Sequence, residues 1–204
     1  MLTTHTPDRR QFGATVLGAG FFGISSVRGA ANATPRHAAT AVPVPPEILA
    51  ALPAAQLIGS GTYRYFGLRI YDIRLWAAPG FQAPRYDTES LALALVYARS
   101  LDGAAIAERS ITEMRRIAPP NASFAAVQAK TWQTFMQSAF PNVVAQDRIV
   151  GFGNGAGGVQ FFHNGRATAK VTDQEFATLF FGIWLSPQTS DQALRKSLIA
   201  SASP

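Results

Sequence analysis

Three patterns in this sequence could carry chemistry: a carboxylate on an apolar helical stripe, a glycine-rich run, and arginines and tyrosines on two strand-like segments. The carboxylate is Glu113, which follows Ile106 in a helix-like segment. Their seven-residue spacing is about two helical turns, so both side chains point towards one side. A carboxylate on such a stripe must find a partner or shift its pKa, because burying a bare charge is costly. Two roles are open to it. It lines a ligand cleft with Arg64, Arg69 or Tyr71, or it reaches water or a structural ion pair. The glycine-rich run, Gly153-Asn-Gly155-Ala-Gly-Gly158, matches GxGxxG letter for letter. That signature binds dinucleotides only when a helix follows at once. Here Val159, Phe161 and His163 alternate into Asn164-Gly165, a strong hairpin signal, so the run is predicted to join two strands.

Missing residue types exclude other reactions. There is no cysteine, which removes disulfides, thiolate metal sites and cysteine nucleophiles. The histidines are His5, His37 and His163. They form no cluster, and His163 beside a hairpin turn is expected at the surface. No GxSxG, HExxH or P-loop pattern occurs. No metal, no cofactor and no catalytic residue is therefore assigned. The aromatic residues Trp132, Phe135, Phe161, Phe162, Phe176, Phe180, Phe181 and Trp184 are expected mostly in the core, some of them lining a cleft.

The elements that must position these residues follow from period and punctuation. Gln56–Phe66 and Leu68–Ala77 are predicted strands with Gly67 at the turn. In the second, Arg69, Tyr71, Ile73, Leu75 and Ala77 share the expected core face. A third strand spans Leu91–Arg99. Asp102 is predicted to cap a helix in which Ile106, Ser110, Met114 and Ile117 recur before Pro119-Pro120 stops it. A second helix, Ser123–Ala139, carries Phe124, Val127, Phe135 and Met136. Strands return at Asp147–Gly153, Gly158–His163 and Arg166–Val171. Thr172-Asp-Gln-Glu175 reads as a capping box for a helix to about Trp184. Ser190 is predicted to cap a last helix to about Ala200. The order βββ-αα-βββ-αα implies α+β, an antiparallel sheet with helices on one face.

The N-terminus reads as a targeting segment. Arg9-Arg10 precede an uncharged run from Gly13 to Val27, and Ala31-Asn32-Ala33 supplies a small-x-small site. This order predicts a cleaved twin-arginine signal over residues 1–33, and a periplasmic or secreted product. The run holds four glycines. It is too short and weak to span about 30 Å of hydrocarbon, so no stable membrane span is expected after cleavage. Residues 34–47, rich in Ala and Pro, are expected as a flexible linker, and 48–204 as the folded domain. Cleavage after 33 leaves 15 basic against 11 acidic residues, a net charge of +4. The basic residues are dispersed and form no aromatic-interleaved stripe, so nucleic acid is not an expected partner.

With these elements in place, the chain resembles the chalcone-isomerase-like superfamily. Gly59-Ser-Gly-Thr-Tyr-Arg64 and Arg69-Ile-Tyr-Asp-Ile-Arg-Leu-Trp-Ala77 resemble its opening hairpin. Leu101-Asp-Gly103 with the following helix resembles its middle. Phe162-His-Asn-Gly-Arg166, Phe176 and Phe181-Gly-Ile-Trp-Leu185 resemble its closing hairpin and helix. The resemblance covers about residues 55–200 and implies an open-faced β-sandwich, a curved antiparallel sheet backed by helices. It also implies a cleft between the layers, which holds a flavonoid in the plant enzymes and fatty acids in non-catalytic relatives.

The resemblance carries the reaction less well. The plant-type enzymes use a first-strand arginine, a second-strand threonine, a helical tyrosine and asparagine, and a late polar residue. Here Arg64 is the candidate arginine, Tyr71 stands at the threonine and Ile106 at the tyrosine. Glu113 stands at the asparagine and Gly182 at the late polar site. Ile106 cannot stabilise an enolate, and an ionised Glu113 would oppose a phenolate nucleophile. A one-residue register slip would also move Arg64 to the opposite face. Three functions are thus compatible with the residues. The leading one is a non-catalytic binder of a small apolar or amphipathic molecule, such as a fatty acid, with Arg64, Arg69, Tyr71, Ile106 and Glu113 as candidate ligand contacts. The second is an isomerase (intramolecular lyase) with a different site, and the third a ligand-free envelope scaffold. An open cleft holding Glu113 and an arginine favours the first two, and a cleft filled by Tyr71, Ile106 and aromatics favours the third.

Overall fold

Alternation on both faces builds the sheet. In the computed structural model, which describes residues 42–119 and 126–202, the sheet has six strands. They are β1 (Gln56–Tyr65), β2 (Leu68–Ala77), β3 (Ser90–Tyr97), β4 (Arg148–Asn154), β5 (Gly158–His163) and β6 (Arg166–Thr172). They lie in sequence order, each antiparallel to the next. From Leu91 on, β3 is a continuous apolar run because both its faces are covered. Leu91, Leu93, Leu95 and Tyr97 belong to the main core, while Ala92 and Ala94 join Trp76, Val150 and Ile48 in a smaller one.

That smaller core is capped by α1 (Pro46–Ala51), a helix that begins inside the segment expected as linker. Glu47 is buried, and its Oε1 accepts from Arg148 Nε at 2.9 Å. This bond pins α1 to β4, so order starts before residue 48 and the last linker positions are structural. Arg9, Arg10, Ala31 and Ala33 of the expected signal, and the linker up to residue 41, lie outside the described residues.

The main core lies between the sheet and four helices: α2 (Gly103–Ile117), α3 (Ala126–Ala139), α4 (Gln174–Leu185) and α5 (Gln192–Leu198). Asp102 caps α2 as expected, accepting from Ala105 N at 3.0 Å. In α3 the buried side is Ala129, Trp132, Met136 and Ala139. Val127, expected on that side, is 78% exposed, since two residues before Ala129 is about 200° around the helix. The predicted start of α3, with Ser123 and Phe124, lies outside the described residues.

Two caps fall one residue later than predicted. Thr172 is the last residue of β6, paired with Gly158, and Asp173 caps α4 instead. Asp173 Oδ1 accepts from Phe176 N at 3.0 Å, and its Oδ2 from Trp132 Nε1 at 2.9 Å. Asp191 rather than Ser190 caps α5, accepting from Leu194 N at 2.9 Å. That frees the Ser190 hydroxyl for the site described below. Gly59 lets α5 lie against β1, because a Cβ there would collide with the backbone carbonyls of Ser197 and Leu198. The glycine-rich run connects β4 to β5, as predicted. Asn154 Oδ1 accepts from the N–H groups of Ala156 and Gly158, and no helix follows for a pyrophosphate.

Candidate functional site

The sheet and the helices do not close completely on one another. Between them lies a cavity of about 320 Å³ with a mainly apolar lining. Leu93, Leu95 and Ile149 contribute from the strands, and Ile106, Ile183 and Leu194 from the helices. Its polar groups gather in two places.

One place is a tyrosine cluster on the sheet. Tyr71 pairs with Tyr63 on β1 and with Tyr97 on β3. The Tyr63 and Tyr71 rings stack at 5.0 Å, and Tyr97 meets Tyr71 edge-on at 5.8 Å. From α4, Trp184 Nε1 donates to Tyr71 Oη at 3.0 Å. Burial pushes the Tyr71 phenol far above its ordinary value, and the Trp184 bond offsets part of that. Tyr97 is pushed up by burial as well. Both rings therefore stay neutral, and Tyr71, whose oxygen already accepts from Trp184, keeps its own O–H to donate.

The other place is an ionic cluster on α2. Glu113 is 5% exposed. Its Oε1 lies 2.6 Å from Arg109 Nη2, one helical turn earlier, and its Oε2 accepts from Ser190 Oγ at 2.9 Å. Arg116 Nε stands 3.4 Å from Oε2. The Arg109 contact is an ion pair to a fully buried Oε1. The Arg109 guanidinium also sits over the Tyr65 ring at 5.8 Å. Arg109 is half exposed, so the cluster runs from the cavity wall to solvent.

Of the sequence candidates, Tyr71, Ile106 and Glu113 line the cavity together. Arg64 and Arg69 do not: Arg64 alternates between Tyr63 and Tyr65, which both face the cavity, and a β-bulge turns Arg69 away. Tyr63 pairs with Tyr71, but the next pair is Arg64 with Arg69, leaving Ile70 unpaired. The extra residue turns Ile70 to the cavity and reverses the alternation beyond it. Arg69 consequently shares the outer face with Asp72, to which it is ion-paired. Its hydrogen bond, helped by one from Thr62, holds the Asp72 carboxyl below the usual carboxylate range. Arg64 Nη1 donates to Gly67 O at 3.2 Å, at the hairpin end. Gly182 does not reach the cavity: a Cβ there would meet Ile117 Cδ1 at 2.6 Å, so it serves α4–α2 packing.

The arginine of the site is Arg109, which the sequence reading passed over. Its position four residues before Glu113 was the available signal. His163 lies at the hairpin, 3.4 Å from Asp147. Among the described residues no group of three or more His, Cys, Asp or Glu could hold a metal, and no helix is long and apolar enough to cross a membrane.

Sheet, helix layer and interlayer cavity together define an open-faced β-sandwich. Residues 39–200 match the sequence profile of the family described as chalcone isomerase-like, and the chain belongs to that family. No curated protein sequence matches it. Among solved structures it is similar to a fatty-acid binding protein of Arabidopsis thaliana, with a TM-score of 0.56 and 10% identity. That match covers 72% of this chain and 87% of the other. At that identity the likeness is one of fold.

Proposed function

We propose that this protein is an exported, non-catalytic binder of a small amphipathic molecule of fatty-acid type. The observation that carries the reading is the cavity itself: about 320 Å³, mainly apolar, with its polar groups in the tyrosine cluster and around Arg109, Ser110, Glu113 and Thr189–Asp191. An acyl chain suits such a lining, because burying each methylene contributes about 0.8 kcal/mol. A polar head suits the α2 cluster. Arg109 offers a cation at the solvent side and Tyr71 a neutral O–H, and both suit a carboxylate. The fatty-acid binding protein of similar fold supports the ligand class. A scaffold without ligand would need the cleft filled by Tyr71 and Ile106, and those side chains line it instead. Titration with cis-parinaric acid, a fluorescent fatty acid, tests the proposal: one-site saturation is expected, and no saturation with any lipid or aromatic ligand sinks it.

A second reading, an isomerase with its own site, draws on one observation: Glu113 and the Tyr71 hydroxyl border the same cavity. Together they would supply a carboxylate base and a neutral donor. Ile106 nevertheless stands where the family's plant enzymes carry a tyrosine, so chalcone cyclisation is not the reaction proposed.

A further inference from the structure

The β1–β2 hairpin ends in Tyr65-Phe66-Gly67-Leu68, with Tyr65 paired to Leu68 and a two-residue turn between them. Both turn residues have positive φ, 47° at Phe66 and 78° at Gly67. A turn of this kind favours Asn, Asp or Gly at its first position, and a bulky aromatic there is strained. Folding alone gives no return for that strain. Phe66 is 88% exposed, Leu68 55% and Tyr65 49%, so the tip presents Phe66 and Leu68 to solvent beside a half-covered Tyr65.

Two further features give the tip a direction. Its charge is one-sided: from Thr62 to Arg74 the hairpin carries Arg64, Arg69 and Arg74 against Asp72 alone. Its position is at the cavity mouth. The Phe66 ring packs edge-on against Tyr65 at 4.6 Å, and Tyr65 lines the cavity beneath the Arg109 guanidinium.

We propose that this tip docks the protein on an anionic bilayer, with Phe66 and Leu68 entering the acyl boundary and the hairpin arginines meeting lipid phosphates. Apolar residues flanked by cations suit the interface, where apolar burial and attraction to anionic lipid add together. Docked in this way, the Tyr65–Arg109 mouth opens at the depth of lipid headgroups, so an acyl ligand passes between bilayer and cavity without crossing water. This purpose rests on the binder reading, whereas docking itself does not.

The test is co-sedimentation of the chain from residue 34 on, the form that the proposed export leaves, with phosphatidylcholine vesicles and with equimolar phosphatidylcholine–phosphatidylglycerol vesicles. The wild type should prefer the anionic vesicles. Phe66→Asn with Leu68→Thr, which relieves the turn strain and so preserves the fold, should lower the partition coefficient at least about tenfold. Solution titration with cis-parinaric acid should be unchanged by that pair, since neither residue lines the cavity. Arg64→Gln with Arg69→Gln should remove the anionic preference, about fivefold per arginine. Independently, a Phe66→Trp variant should gain emission that brominated acyl chains quench. Equal partition of the Asn/Thr variant and the wild type would overturn docking, as would emission from the Phe66→Trp variant that stays unquenched. So would a dimer that the Asn and Thr substitutions disperse without any vesicle binding. Failure of fatty-acid saturation with vesicle binding intact would overturn the binder reading alone.

Discussion

Trp184 Nε1 donates to Tyr71 Oη at 3.0 Å, tying α4 to β2 across one end of the cavity. Replacing Tyr71 by Phe keeps the ring and removes the acceptor. The indole N–H is then left without that partner, at a cost of about 1–3 kcal/mol. Urea unfolding monitored by circular dichroism should show the loss as a lower midpoint at unchanged slope.

The same tyrosine makes stability depend on alkaline pH. Burial raises the Tyr71 and Tyr97 phenols in the folded chain, while in the unfolded chain they ionise near about 10. Below that pH both states hold the proton, and stability is unaffected by these groups. Above it the unfolded state releases protons that the folded state keeps, so stability falls by about 1.4 kcal/mol per pH unit for each tyrosine. Tyr71→Phe should make that fall shallower by one tyrosine's share. An unaltered slope above the phenol value would mean that Tyr71 is not buried as described.

Arg109 and Glu113 should have opposite effects on an anionic ligand. Arg109→Ala should weaken a fatty acid about tenfold and leave its methyl ester little changed, because only the carboxylate uses the charge. Glu113→Gln, close to isosteric, removes a like charge and should tighten the acid. Calorimetric titration of both ligands distinguishes the two, and parallel losses for acid and ester would refute an anionic head beside Arg109.

Chalcone cyclisation should not exceed the uncatalysed rate. Ile106 offers no donor to a developing enolate, and the buried Glu113 faces the same cavity. Acid–base help and oxyanion stabilisation are each worth about a hundredfold or more, so losing both removes useful turnover. Turnover well above background in an absorbance assay would reinstate the isomerase reading.

Export has its own test. Exchanging Arg9 and Arg10 for Lys should hold the precursor in the cytoplasm, read by immunoblot of periplasmic and cytoplasmic fractions. Unchanged periplasmic yield would remove the twin-arginine proposal.

The strands and helices are legible because each shows its period and its punctuation: the run of β2, the Asp102 cap, the Asn164-Gly165 turn. Tyr71, Ile106 and Glu113 are legible for the same reason, lying on faces that regular alternation or helical spacing defines. Arg69 falls away from the expected face because a bulge at Ile70 breaks that alternation, and no residue type announces a bulge there, whereas Arg64 faces away by plain alternation between Tyr63 and Tyr65. Thr172 and Ser190 read as caps because either neighbour of each pair can cap. Strand pairing of Thr172 and the Glu113 contact of Ser190 decide the choice, and both are long-range. Helix α1 is hidden in a proline-rich stretch, since Pro46 starts a helix as readily as it extends a linker. Its anchor, Glu47 to Arg148, spans most of the domain in sequence.

An acyl chain in the cavity between sheet and helices is what the binder proposal requires. Ile106→Trp enlarges a side chain in the cavity lining and should fill part of the cavity while Arg109, Glu113 and Tyr71 are kept. Titrated with cis-parinaric acid, the wild type should saturate at one site per chain, and Ile106→Trp should bind at least about tenfold more weakly while keeping the native circular dichroism spectrum. Saturation of the two proteins at equal affinity would place the ligand elsewhere and contradict the account.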